Sequence, residues 1–112
     1  MSGAVTTHVL DTARGIPAAG VAVRLERRAR GTWVPVGEGT TDADGRCRGL
    51  TTGGLEPGTH RLVFATGEYA AARGPPSFYP EVVVTFDIAD AAAHFHVPLL
   101  LSPFGYSTYR GS

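Results

Sequence analysis

Two imidazoles at alternate positions, His94 and His96, stand out in this chain because they interrupt a pattern of apolar side chains. With the period of two that a β-strand imposes, Phe95, Val97, Leu99 and Leu101 share one face, while His94 and His96 share the other with Leu100. An ordinary imidazole titrates near 6.5, so a histidine on that face is within reach of proton transfer at neutral pH. By spacing alone, a strand-end histidine in solvent or a satisfied core histidine explains the pair better than a site does. His-x-His with His8 as a third donor also suggests a metal, but no His, Cys or carboxylate stands at a second fixed spacing.

Arg46 is the next candidate, since it directly follows the turn sequence Asp42-Ala43-Asp44-Gly45. A guanidinium fork placed by a turn can grip the carbonyl oxygens and ring nitrogens of a flat heterocycle, although a solvated strand-end arginine is the plainer reading of position alone. The two aspartates resemble the start of a calcium loop. That reading fails because the fifth position is Arg46 and the twelfth, where a bidentate glutamate belongs, is Gly53. Cys47 reads as a small buried hydrophobe. His60, Glu68 and the run Arg24, Arg27, Arg28 and Arg30 read as solvated faces.

These residues must be carried by strands, because glycines and prolines recur between short alternating runs and do not gather into a linker. Val5 to Leu10 reads as a strand with Val5, Thr7 and Val9 on one face and Thr6, His8 and Leu10 on the other. Residues 11–20 read as a loop. Strands follow from Val21 to Glu26 and from Trp33 to Thr41; the turn at Asp42 to Gly45 places Gly45 at positive φ, and a short strand spans Arg46 to Leu50. His60 to Thr66, Val82 to Ile88, Phe95 to Leu101 and Tyr106 to Arg110 complete the set. One short helix, Glu68 to Arg73, is expected to stop at Gly74-Pro75-Pro76. The expected architecture is an all-β sandwich of seven to eight strands with one short helix, in a single domain over residues 1–112.

Length and charge bound the function. A chain of 112 residues buries roughly 65% of its unfolded surface, enough for one core but not for a second cofactor domain. Ten Lys and Arg balance ten Asp and Glu, which removes the basic patch that nucleic acid or an acidic membrane would require. One cysteine cannot form an internal disulfide, and Met1 to Leu10 lacks a basic start followed by an apolar block, so a cytoplasmic protein is expected. No apolar run is long enough for a membrane helix.

Several blocks then carry a resemblance that spacing could not supply. Thr7-His8-Val9-Leu10-Asp11-Thr12-Ala13-Arg14-Gly15, Asp44-Gly45-Arg46, Phe78-Tyr79-Pro80-Glu81-Val82, His94 to Pro103 and Tyr109-Arg110-Gly111-Ser112 resemble, in order, the transthyretin-like family of 5-hydroxyisourate hydrolases. The resemblance runs from about Val5 to Ser112 and extends to transthyretin, the hormone carrier of the same fold. It implies a transthyretin-like β-sandwich assembled as a homotetramer, a dimer of dimers with pockets where dimers meet.

It also implies hydrolysis of 5-hydroxyisourate to 2-oxo-4-hydroxy-4-carboxy-5-ureidoimidazoline in urate degradation, with a binding-only carrier of small aromatic ligands as the alternative. Transferred position by position, the catalytic residues are His8, Arg46, His96 and Ser112, and the substrate is lined by His8, Arg46, Tyr109, Arg110, Gly111 and Ser112. His8 or His96 would deprotonate a water, Arg46 would orient the ring and stabilise developing charge, and Ser112 with its carboxylate would fix substrate or water. No metal or other cofactor is expected. His94 matches a variable position and reads as structural or solvated.

Overall fold

The computed structural model describes residues 3–51, 53–73 and 76–112. Its first strand, β1 (Ala4–Asp11), alternates as the sequence predicts, with Val5, Thr7, Val9 and Asp11 buried and the residues between them half-exposed. The chain continues through β2 (Ile16–Pro17), β3 (Ala22–Ala29), β4 (Thr32–Thr40), β5 (Arg46–Cys47), β6 (Gly58–Phe64), α1 (Thr66–Ala71), β7 (Val82–Ile88), β8 (His94–His96), β9 (Leu99–Ser102) and β10 (Gly105–Thr108). Two sheets face each other. One has the order β10-β9-β1-β2, with β5 and β8 also paired to β1; the other has the order β4-β3-β6-β7.

Their inner faces make one core. Val9, Leu25, Leu62, Phe64 and Leu99 are fully buried, and each such side chain contributes about 1.5–3 kcal/mol by leaving water. The expected face of Phe95, Val97, Leu99 and Leu101 is buried throughout, and Cys47 is a free, buried thiol whose pKa burial raises.

The structure differs from the sequence reading at several places, each with a local cause. The single strand expected over Phe95 to Leu101 is two, β8 and β9. Both run parallel to β1 in unchanged register, Ala4 opposite His94 and Val9 opposite Leu99. The ladder lapses between them at Pro98, which has no N–H to give. The loop over residues 11–20 contains β2, and the strand expected over Arg46 to Leu50 is only the pair Arg46–Cys47.

The last strand spans Gly105–Thr108 and ends before Tyr109. The helix begins two residues earlier than expected, at Thr66, with no side-chain cap. Its first turn is anchored instead by tertiary partners: the Gly67 N–H donates to the Pro80 carbonyl at 2.9 Å, and the Thr66 hydroxyl donates to the Tyr79 carbonyl at 3.1 Å. The expected stop at Gly74-Pro75 lies outside the described residues.

His60 is not solvated. It is fully buried on the inward face that it shares with Leu62 and Phe64, its Nδ1–H donating to the Gly58 carbonyl at 2.9 Å. Arg24, Arg28, Arg30 and Glu68 are exposed as expected, whereas Arg27 is half-buried and pairs with Glu56 at 3.0 Å.

Candidate active site

β1 is the strand that assembles the site, because it is paired on one side with β8 and on the other with β5. On the β5 side His8 lies opposite Arg46, and on the β8 side Thr6 lies opposite His96. Residues directly opposite in register project to the same face. The outward face of the sheet therefore collects Thr6, His8, Arg46, His94 and His96, from segments that are far apart along the chain.

The turn before Arg46 is built as its sequence demands. Asp42 Oδ1 accepts the N–H groups of Asp44 at 2.9 Å and Arg46 at 3.0 Å, and its carboxyl is held below the ordinary aspartate value chiefly by the Arg46 N–H. Gly45 sits at φ +76°, where a Cβ would lie 2.4 Å from the Val9 carbonyl oxygen, so only glycine fits. Among the described residues the Arg46 guanidinium forms no ion pair, and its donors remain available to a ligand.

His8 is already committed. Its Nε2 lies 2.8 Å from the Asp44 carbonyl oxygen, which can only accept, so that nitrogen carries the proton. His96 is held on two edges. Nδ1 lies 2.8 Å from the Thr6 hydroxyl, and the Gly111 N–H donates to the His96 carbonyl at 2.8 Å, bringing the Gly111 backbone against the ring. A cleft of about 220 Å³ opens here, lined by Thr6, Thr7, Arg46, Arg48, His94, His96 and Ser112.

Tyr109 and Arg110 lie elsewhere. They border a separate depression with Val84, Phe86 and Val97, and the Arg110 guanidinium stacks 4.9 Å above the Phe95 ring. Within one chain the structure thus brings His96, Arg46, Gly111 and Ser112 together with His8 beside Arg46, and it leaves Tyr109 and Arg110 apart. Sequence reasoning missed Thr6, Thr7 and Arg48, and it left His94 unassigned. Thr6 could have been found, since it shares the outward face of β1 with His8. Among the described residues no three His, Cys, Asp or Glu side chains gather as a metal site.

A family model described as the HIUase/Transthyretin family matches residues 5–111. The chain belongs to that family. It is 50% identical to the 5-hydroxyisourate hydrolase of Mus musculus, over 99% of this chain and 97% of that protein. The structure of Klebsiella pneumoniae 5-hydroxyisourate hydrolase superposes with a TM-score of 0.86 at 38% identity, covering all of both chains. Transthyretin from Sparus aurata superposes with a TM-score of 0.90 at 32% identity, covering 96% of this chain and 95% of that one. Both kinds of HIUase/Transthyretin family member therefore share the backbone, and what distinguishes them has to be sought in side chains.

The tight approach of Gly111 gives a first prediction. A Cβ at that position would stand 2.6 Å from His96 Cδ2, against a ring already fixed by Thr6. Gly111→Ala is expected to displace either the ring or the chain end, lowering turnover at least about tenfold if the misplacement approaches 1 Å. Steady-state kinetics beside a thermal melt checks this, and wild-type turnover would show that the contact is slack.

The pKa of His96 is displaced from its ordinary value. Burial lowers its pKa first, and the Arg46, His94 and His8 charges lower it further. The neutral ring therefore persists to lower pH than an ordinary histidine allows. The acid limb of kcat/KM is expected below about 6.5, the unperturbed value. Folding stability follows the same sign: the unfolded chain takes up this proton more readily, so stability falls as pH drops through the window below that value. A pH–rate profile with its acid limb above 6.5 would contradict the assignment.

Proposed function

We propose that this chain is a 5-hydroxyisourate hydrolase, opening a cyclic amide of its flat substrate with a water activated by His96. The observation that carries the reading is the meeting of a neutral imidazole and an unpaired guanidinium, His96 and Arg46, in one cleft, in a chain half identical to an enzyme of that name. His8 supports it indirectly. His8 gives its Nε2–H to the Asp44 carbonyl and stands as a wall beside Arg46, outside the lining of the cleft that holds His96, which favours His96 as the base.

The chemistry then follows. The water loses a proton to His96 as its oxygen bonds to the amide carbon, and negative charge develops on the carbonyl oxygen. Arg46 stabilises that charge. The C–N bond breaks, and the proton held by His96 passes to the departing nitrogen. The product is 2-oxo-4-hydroxy-4-carboxy-5-ureidoimidazoline. Ser112 borders the same cleft and fixes substrate or water, and no metal or other cofactor takes part.

We further propose a cytoplasmic homotetramer, a dimer of dimers. No helix among the described residues is long and apolar enough to cross a membrane. In one chain the cleft lacks Tyr109 and Arg110, β7 and β10 are edge strands of their sheets, and Phe104 and Tyr109 are largely exposed. A second chain over the cleft would deepen it and could bring Tyr109 and Arg110 to the substrate.

Freshly generated 5-hydroxyisourate decays measurably in the ultraviolet, and purified protein is expected to accelerate that decay with chelator present. No acceleration over buffer makes the chain a binding-only carrier, and acceleration abolished by chelation assigns the water to a metal.

A further inference from the structure

We propose that Thr6 is a positioning residue for His96, holding it in the Nδ1–H tautomer so that Nε2 is bare and able to take a proton. The inference rests on the hydrolytic reading, but its geometry stands independently. Thr6 Oγ1 lies 2.8 Å from His96 Nδ1 and 2.9 Å from His94 Nε2. A hydroxyl has one proton to donate, so at least one of these two rings must donate an N–H to Thr6.

The surroundings decide which. Arg46 and Arg48, which carry only donors, line the same cleft and suit a bare Nε2 on His96, while the acceptor there, the Ser112 terminus, is given to substrate or water in the proposed reaction. His94 is exposed, so its other nitrogen meets water in either tautomer. The proton order is therefore His96 Nδ1–H to Thr6 Oγ1, and Thr6 O–H to His94 Nε2. When His96 takes a proton from water at Nε2, the bond to Thr6 is unchanged and nothing has to reorganise.

Nitrogen-15 NMR of the labelled full chain, at a pH where His96 is neutral, reads the protonated nitrogen directly. Wild type is expected to show His96 protonated at Nδ1 and bare at Nε2; the reverse overturns the proposal, whether or not any variant folds. In Thr6→Val the signal is expected to move toward the Nε2–H form that unconstrained histidine prefers. Its kcat is expected to fall at least about tenfold, with KM within about threefold, a fraction of the roughly 10⁴-fold that a wrong tautomer costs a serine-protease triad. Thr6→Ser keeps the hydroxyl and should restore both signal and rate. A fall in kcat with an unchanged His96 spectrum assigns Thr6 a merely structural role and overturns the proposal. The spectrum needs no substrate, so a wild-type chain that fails to hydrolyse 5-hydroxyisourate sinks the functional reading separately.

Discussion

Replacing His96 with alanine is expected to lower kcat for 5-hydroxyisourate by about 10²–10⁴-fold, the range a positioned general base supplies. The variant should stay folded, because what ties this segment to its neighbours is largely backbone. The Val97 N–H donates to the Thr6 carbonyl at 2.9 Å and the Gly111 N–H to the His96 carbonyl at 2.8 Å, and neither bond uses the imidazole. The ring itself is half-exposed, so its removal leaves no deep cavity. KM should move little, since Arg46 remains to hold the substrate. The measurement is steady-state kinetics on protein whose melting temperature and mass in solution match wild type. A rate within tenfold of wild type would transfer the base to His8, whose bond to Asp44 through Nε2 leaves Nδ1 able to accept a proton.

Arg46→Ala is expected to cost about 10²–10³-fold in kcat, the effect of deleting one donor from a preorganised oxyanion site. Arg46→Lys should recover only part of this, because an ammonium keeps the charge but not the planar fork. A second readout distinguishes loss of charge from loss of shape. The Arg46 charge helps to hold the His96 pKa down, after burial, so removing it lets His96 protonate at higher pH. The acid limb of the residual activity should move upward in Arg46→Ala and stay near its wild-type position in Arg46→Lys. An unmoved limb in both variants would mean that Arg46 and His96 do not sense each other.

Much of this molecule was legible before its structure, for a simple reason. Period-two alternation states which side of a strand is apolar, and it placed Val5, Thr7 and Val9 inward and Thr6 and His8 outward. The Asp-Ala-Asp-Gly turn announced itself through a glycine that only positive φ explains. His60 stands in step with Leu62 and Phe64, and its place on the inward face outweighs the polarity that suggests a solvated residue. The start of α1 carried no local signal, since the Gly67 N–H and the Thr66 hydroxyl find their acceptors in the distant segment at Pro80 and Tyr79.

The candidate residue types, the strand faces that carry them and the resemblance to the family were thus legible in the sequence alone. Only the tertiary structure decided who meets whom. Alternation fixes a face but says nothing about which strand lies alongside, and the decisive contacts span 36 residues from His8 to Asp44 and 90 from Thr6 to His96. Pairing β1 between β5 and β8 placed Arg46 and His96 on one face and brought Thr6 between two imidazoles, while Tyr109 and Arg110 border a separate depression.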